Sequence, residues 1–203
     1  MSESQTNAPD SPRRRAILDA ALEVFVAGGF ESATIEDVRR RSGASVGSIY
    51  HHFGSKEGLA ATLYTEGLSD YQQGLLETLA HDPAPAEGIT ELVGHHLRWV
   101  EDHRDLARFL LVRPSTDVLS GASGRIAEQN ATVADAISSW LEVHRQAGRV
   151  RRVEPDLLLA ILLGPSQQFV RVWLRDGGTT SIDRAASVLS AAAVAALVLE
   201  EPA

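Results

Sequence analysis

Apolar residues recur at helical spacing along almost the whole chain. Between residues 12 and 28 they fall at Ile17, Ala20, Ala21, Val24 and Phe25, which is the i, i+3, i+4, i+7 pattern of a helix with one buried face. The strict alternation of apolar and polar residues that marks a half-buried strand is nearly absent. The sequence therefore predicts an all-α fold of about nine helices.

Capping residues and breakers divide this pattern into segments. Ser11 precedes a proline, Thr34 is followed three residues later by Asp37, and Ser45 and Ser55 each stand before a further helical run. Glycines and prolines mark the ends. Helices are predicted at about 12–28, 34–43, 45–52, 56–80, 86–102, 103–113, 123–147, 155–176 and 181–200. The pair Gly164-Pro165 lies inside the eighth segment and predicts either a break or a kink that shapes a pocket.

Composition narrows the class of protein. The chain has no cysteine and a net charge of -8, which excludes disulfides and argues against broad, non-specific attraction to nucleic acid. The first ten residues lack the pattern of a signal peptide, and the longest uncharged runs fall short of the roughly 20 residues of a membrane span. We therefore expect a soluble, cytoplasmic protein with no membrane partner.

The second and third predicted helices form the most informative motif. Both are short, and the turn S-G-A-S joins them, which is the layout of a helix-turn-helix whose second helix can enter the major groove of DNA. That helix begins with the small residues of S-V-G-S and ends with Y-H-H, shortly before the chain's only lysine. His51 and His52 could instead bind a metal ion, but neighbours on a helix diverge by about 100° and no carboxylate is suitably spaced.

The stretch from Arg14 to Leu59 resembles the DNA-binding domain of the TetR family of bacterial transcriptional regulators. The resemblance rests on the pattern of the first helix, the Gly-Phe pair, the threonine cap and the run Y-H-H-F-G-S-K-E. It implies a helix-turn-helix domain at 11–55 with the start of helix 4 to about 60, and a ligand-binding and dimerisation domain at 56–203. Residues 1–10 are polar, and we expect them to form a disordered tail.

The resemblance also implies roles for particular residues. Contacts to phosphate are expected from Thr34, Tyr50, His51, His52 and Lys56, and contacts to bases or the groove from Ser45, Val46, Gly47 and Ser48. Val46 departs from the polar residue often found there, and its methyl groups could meet a thymine methyl. The arginines at 13–15 and 39–41 either contact the DNA backbone or form ordinary solvated faces.

In this family the C-terminal helices enclose a ligand cavity. Large or polar residues in a frame rich in leucine and alanine are candidates to line it, with core packing as the alternative: Trp99, Phe109, Trp140, Gln167, Gln168, Phe169 and Trp173. His95, His96, His103 and His144 lack the spacing of a metal or catalytic motif, and we expect them half-buried with backbone partners. We expect no cofactor and no enzymatic activity.

Helix 9 is apolar nearly all round, unlike the helices that usually lie at a protein surface. Packing through Ala191, Ala192, Ala195 and Ala196 against helix 8 and a partner's copies would explain this pattern. Together with this pattern, the resemblance implies a homodimeric repressor that a small apolar or amphipathic effector releases from a near-palindromic double-stranded DNA operator. The alternatives are a DNA-binding activator and an all-helical metal sensor or enzyme.

Overall fold

The computed structural model describes residues 11–111 and 122–199, and these residues form nine helices. The prediction of an all-α fold is confirmed. The helices are α1 (Pro12–Gly28), α2 (Ile35–Ser42), α3 (Val46–Phe53), α4 (Lys56–Glu77), α5 (Pro85–Asp102), α6 (Arg104–Leu111), α7 (Ser123–Gln146), α8 (Pro155–Asp176) and α9 (Ile182–Leu197). The predicted tail at 1–10 and the last residues of the predicted sixth helix lie outside the described residues.

The N-terminal helices α1, α2 and α3 pack around a small apolar core. Ile17, Phe25, Val38, Ile49 and Phe53 are all buried within it. The helix starts agree with the sequence, because the predicted serine and threonine caps accept hydrogen bonds from backbone N–H groups of the first turn. The exact caps fix where α2 and α3 begin, and so how the turn between them is built.

The long helix α4 connects this unit to the remaining helices, among which α5 is central. Helix α9 packs most extensively against α5, and its buried apolar residues are Ile182, Ala185, Ala193 and Leu197. The sequence predicted that α9 packs against α8 and a partner's copies. Within one chain α9 does contact α8, but its contact with α5 is more extensive, and the four predicted alanines stay exposed.

Helix α8 runs without a break through Pro165, so the predicted alternative of two separate helices is wrong. The next residue, Ser166, donates its hydroxyl to the carbonyl oxygen of Leu163 at 2.8 Å. Among the described residues, Leu157–Asp176 is also the one segment long and apolar enough to cross a membrane. Core helices of soluble proteins pass the same test, so this is weak evidence for a span.

The end of α9 differs from the prediction of a helix to residue 200. Val198 has an extended backbone and forms an isolated antiparallel bridge with Val150. The Leu199 N–H donates to the carbonyl oxygen of Arg149 at 2.9 Å, and the Arg151 N–H donates to that of Leu197 at 2.8 Å. A tertiary partner for the backbone therefore ends the helix where local propensity would have continued it.

Candidate nucleic-acid interface

The turn between α2 and α3 has a fixed geometry. Gly43 ends α2 in the left-handed conformation, with φ of 68°, which a residue with a side chain adopts only at a cost. Ala44 is then buried, and the hydroxyl of Ser45 accepts the N–H of Ser48 at 3.1 Å. The turn thus anchors the start of α3 to the core while its first residues face outward.

Helix α3 has one buried and one exposed face. Ile49 and Phe53 fill the core, whereas Val46 and Tyr50 are 38 % and 48 % exposed. Gly47 and His51 lie one helical turn apart on the same side, and both are exposed. The exposed side therefore has no bulky side chain beyond Val46 in its first turn, and carries its large donors farther along.

His52 is only partly exposed, unlike His51. Its burial lowers the pKa of His52, and the neighbouring charges of His51, Arg14 and Arg13 act in the same direction. The ring is therefore neutral near pH 7 in the free protein and has one N–H to donate. A phosphate group beside it would favour the charged form and raise that pKa.

Thr34 and Asp37 form a reciprocal capping box. The Asp37 N–H donates to the Thr34 hydroxyl oxygen at 3.2 Å, and the Thr34 N–H donates to the Asp37 carboxylate at 3.0 Å. The Thr34 hydroxyl also donates to that carboxylate at 2.6 Å. Its hydroxyl proton is thus committed within the chain, and a phosphate contact from Thr34 would have to replace this bond.

Lys56 has a role that the sequence did not reveal. Its Nζ lies 3.0 Å from the carbonyl oxygen of Phe30, 3.1 Å from that of Ala33 and 3.4 Å from that of Glu31. It also lies 4.4 Å above the Phe30 ring. An ammonium group has three donors, so these carbonyls can occupy all of them. Lys56 thereby ties the start of α4 to the loop between α1 and α2, and its phosphate contact stays a prediction.

The arginines near this surface are mostly paired with acids. Arg39, Arg40 and Arg41 form ion pairs with Glu36, Asp37 and Glu23 respectively. Arg14 pairs with Glu66 of α4 and lies 5.6 Å above the Phe53 ring. Exposed pairs of this kind contribute about 0 to 1 kcal/mol, so they hold the side chains only weakly.

Comparison with known proteins identifies the motif. A family model described as bacterial regulatory proteins, tetR family, matches residues 17–63. An HTH-type transcriptional repressor of Mycobacterium tuberculosis is 30% identical over 156 residues, which cover 74% of this chain and 76% of the relative. The chain belongs to the TetR family. The HTH-type transcriptional repressor AcnR of Corynebacterium diphtheriae is 26% identical over 182 residues, covering 88% of this chain and 90% of the relative.

Two solved structures share the fold of this chain over nine-tenths or more of its length. The fatty acid degradation regulator FadR from Bacillus halodurans superposes with a TM-score of 0.78 at 17% identity, covering 91% of this chain and 96% of FadR. FadR from Bacillus subtilis, solved in complex with stearoyl-CoA, gives a TM-score of 0.77 at 17% identity, and the match covers 90% of this chain and 98% of FadR. These structures show the shared fold, and the family match together with the two repressors above makes this chain a helix-turn-helix transcriptional regulator.

In the C-terminal part of this TetR-family chain, α4, α7 and α8 border a cavity of about 430 Å³. Its polar wall groups among the described residues are Tyr64, Tyr71, Gln72, Asn130 and Gln167, and the others are apolar. The Gln72 amide donates to the Asn130 side-chain oxygen at 2.8 Å across two helices. Of the predicted ligand-lining residues, Gln167 is the one that borders this cavity.

The three predicted tryptophans lie elsewhere, in the core. Each donates its indole N–H within the chain: Trp99 to the Asp70 carboxylate at 2.8 Å, Trp140 to the Pro83 carbonyl at 3.2 Å, and Trp173 to the Thr180 carbonyl at 3.2 Å. These bonds satisfy the polar end of each ring, and the core alternative explains them. Phe169 packs against the core, Gln168 is exposed, and Phe109 lies at the junction of α6 with α1.

Three of the four histidines have the backbone partner that the sequence predicted, but of the four only His95 is half-buried, since His96 and His144 are buried and His103 is exposed. His95, His103 and His144 each lie within 3.1 Å of a backbone carbonyl oxygen, and the Nδ1 atom of His96 lies 2.9 Å from the Tyr71 hydroxyl. Within residues 11–111 and 122–199 the structure shows no group of three or more metal-binding side chains. His96 is almost fully buried, and this burial lowers its pKa to about 4, with the charge of His95 adding to the effect.

Helices α8 and α9 expose apolar side chains. Leu157 and Val172 of α8 are 50 % and 39 % exposed, and Val188 of α9 is 47 % exposed. The four alanines predicted to form a dimer interface are exposed as well: Ala191, Ala192, Ala195 and Ala196. One chain therefore has an uncovered apolar surface made by two adjacent helices.

Proposed function

We propose that this chain is a homodimeric repressor that binds a near-palindromic operator and leaves it when a small molecule binds the C-terminal domain. The observation that carries the proposal is the exposed first turn of α3, which has small side chains and begins at the N-cap Ser45. A slim helix end can approach base edges in the major groove more closely than a bulky one. Cytoplasmic localisation follows from this role.

Two kinds of DNA contact are assigned to α3 and its surroundings. Ser45, Val46, Gly47 and Ser48 face the bases, with the exposed Val46 methyls placed against a thymine methyl group. Phosphate contacts come from Tyr50, His51 and His52, and from Thr34 at the start of α2. We propose that the main role of Lys56 is structural, because its ammonium group holds the α1–α2 loop. A direct contact of Lys56 with phosphate is an additional role.

The dimer would form through the exposed apolar surface of α8 and α9. Burying such a surface against a second copy removes it from water, which favours association by about 25 cal/mol for each Å² of apolar area. We assign Gln168, which is exposed on α8, to this surface rather than to the cavity. Two-fold symmetry would then hold the two recognition helices roughly 34 Å apart, the spacing of successive major grooves.

The effector would occupy the cavity between α4, α7 and α8. None of the described side chains that border it is acidic or basic, apart from the weakly acidic tyrosines, and burial raises the pKa of both Tyr64 and Tyr71. An environment that disfavours charge selects a small apolar or amphipathic molecule with hydrogen-bonding groups. The cavity borders α4, whose first residue is Lys56, so an occupant can alter the α1–α2 loop and α3. Residues 11–55 and 56–203 form the two domains in this proposal.

Selection of operators from random DNA duplexes, followed by footprinting on genomic fragments, tests the proposal. We expect a near-palindrome with two half-sites about one helical turn apart. Replacing Tyr50 with Phe should weaken binding to all duplexes by a similar factor, whereas Val46→Ala should relax the preference at one base pair of each half-site. A reporter under the selected operator separates repression from activation. Failure to enrich any shared sequence would refute the proposal.

A further inference from the structure

A second cavity, of about 330 Å³, lies at the junction of the DNA-binding unit with the C-terminal helices. We call it the junction cavity. Phe25, Val26 and Phe30 form its wall on the side of α1, Phe109 forms it on the side of α6, and Leu174 on the side of α8. The Phe25 ring lies 5.9 Å from that of Phe109 in a stacked arrangement and 5.5 Å from that of Phe30 at an edge-to-face angle. Three of the seven described wall residues are thus aromatic.

The ionisable side chains that the described residues contribute to this wall are Arg108 and Arg175. Both form ion pairs with exposed acids, Asp105 and Asp176, that do not border the cavity. Exposed ion pairs are weak, so a ligand carboxylate can replace Asp105 and Asp176 as acceptor at little cost, while the Arg108 Nε keeps its bond to the Leu174 carbonyl. The polar side chains of the wall are therefore hydrogen-bond donors, and they favour a ligand that carries an acceptor with negative charge.

Helices α1, α6 and α8 all end near the cavity, and free carbonyl groups at helix ends would repel an anion. Several of these carbonyls are already satisfied. The Lys56 ammonium binds the Phe30 carbonyl, Gly29 and Gly177 cap α1 and α8 through their N–H groups, and the Arg108 Nε donates to the Leu174 carbonyl at 3.4 Å. The repulsion is accordingly offset by donors within the chain.

We propose that the junction cavity binds a small aromatic carboxylate, with its rings against the wall formed by Phe25, Phe30 and Phe109 and its carboxylate at Arg108 and Arg175. A volume of 330 Å³ holds on the order of ten non-hydrogen atoms, if each takes the roughly 30 Å³ of a water molecule. Two fused aromatic rings fill that space, and contacts between aromatic rings add a favourable term beyond the area they bury.

The position of the junction cavity connects it to DNA binding. Phe30 is both a wall residue and the ring beneath the Lys56 ammonium, which lies 4.4 Å from its centre. An occupant that touches Phe30 therefore contacts the element that ties α4 to the α1–α2 loop. This site is separate from the cavity between α4, α7 and α8, because the two share no described residue.

Isothermal titration calorimetry of the full chain with 2-naphthoate, in the absence of DNA, tests the site independently of any regulatory role. We expect saturable binding of one molecule per chain. The double variant Arg108→Gln, Arg175→Gln should bind about tenfold more weakly, as expected for loss of a partly exposed charge-assisted hydrogen bond. Arg98→Gln is the matched control, because Arg98 is also an exposed, ion-paired arginine, and it should leave the affinity unchanged.

Two cavity variants identify where the probe sits. Val26→Phe fills the junction cavity and should abolish binding, whereas Ala134→Leu narrows the cavity between α4, α7 and α8 and should have no effect. The neutral analogue 2-naphthalenemethanol should bind the wild type about tenfold more weakly than 2-naphthoate does. The arginine variant should bind the alcohol and the carboxylate with equal affinity. Three results would overturn the proposal: no saturable binding, loss of binding in Ala134→Leu but not in Val26→Phe, or equal affinity for the alcohol and the carboxylate.

Discussion

Replacing Gly47 with Ala separates what α3 needs for folding from what it needs for DNA. Gly47 is the second residue of α3, its backbone conformation suits any residue, and an added Cβ would meet nothing within 4 Å. Glycine inside a helix is less favourable than alanine by about 0.5 to 1 kcal/mol. In the first turn we expect a gain of about 0.5 kcal/mol, which raises Tm by roughly 1 to 2 °C in a chain of this size.

The same methyl group should harm DNA binding. It would project from the exposed side of the first turn of α3, where our proposal has the backbone approach the base edges. Pushing the helix end outward weakens several direct contacts at once, and we expect at least a tenfold loss of operator affinity, equivalent to about 1.4 kcal/mol. A more stable protein that binds its operator worse is the expected signature.

Gly43→Ala is the matched control, because it adds the same methyl group four residues earlier. Gly43 has φ of 68°, and a side chain in that conformation costs roughly 1 to 2 kcal/mol, so Tm should fall by about 2 to 8 °C. Differential scanning calorimetry and fluorescence anisotropy with the selected operator measure both quantities. If Gly47→Ala lowers Tm, the helix argument fails; if it leaves operator affinity unchanged, Gly47 does not face the bases.

Three further predictions concern the rest of the chain. Ala192→Glu and Ala195→Glu should each convert the dimer to monomers in light scattering, while Ala16→Glu, on an exposed alanine of α1, should not; a surviving dimer would place the interface elsewhere. Burial lowers the pKa of His96 to about 4, so between that pH and about 6.5 the unfolded state binds more protons than the folded state. Urea unfolding should therefore show about 2 kcal/mol less stability at pH 5 than at pH 7. A His96→Gln variant with the same pH dependence would refute this. Lys56→Ala should lower Tm as well as operator affinity, since three carbonyls lose their donor; unchanged Tm would mean that these bonds contribute little.

Features set by local chemistry could be predicted from the sequence. The helix starts at Pro12, Ile35, Val46 and Lys56 follow from serine or threonine caps within a few residues of each site. The outward face of α3 follows in the same way, because the burial of Ile49 determines by helical geometry which neighbours must be exposed. These predictions required no knowledge of how distant parts of the chain meet.

Features set by tertiary contacts could not be predicted. Lys56 stands close to the recognition helix in sequence, which suggested a phosphate contact, but its carbonyl partners lie 23 to 26 residues earlier in the chain. Similarly, α9 is apolar on several faces, and nothing in its sequence shows that the helix packs against α5 or that the face of Ile182 and Leu197 is the buried one. A backbone bridge to Val150 then ends α9 earlier than its own propensity indicates.

For the cavity between α4, α7 and α8, some residue types in the sequence are better predictors of lining than others. Large aromatic residues in an apolar frame fit a pocket and a core equally well, and only the partner of the indole N–H separates the two. Trp99, Trp140 and Trp173 donate that group to acceptors within the chain, so a ligand would have to break a buried bond to use it. Uncharged amides such as Gln72 and Gln167 have a better claim, because an amide has more donor and acceptor sites than one neighbour satisfies and its placement on an apolar helix is costly without a further partner.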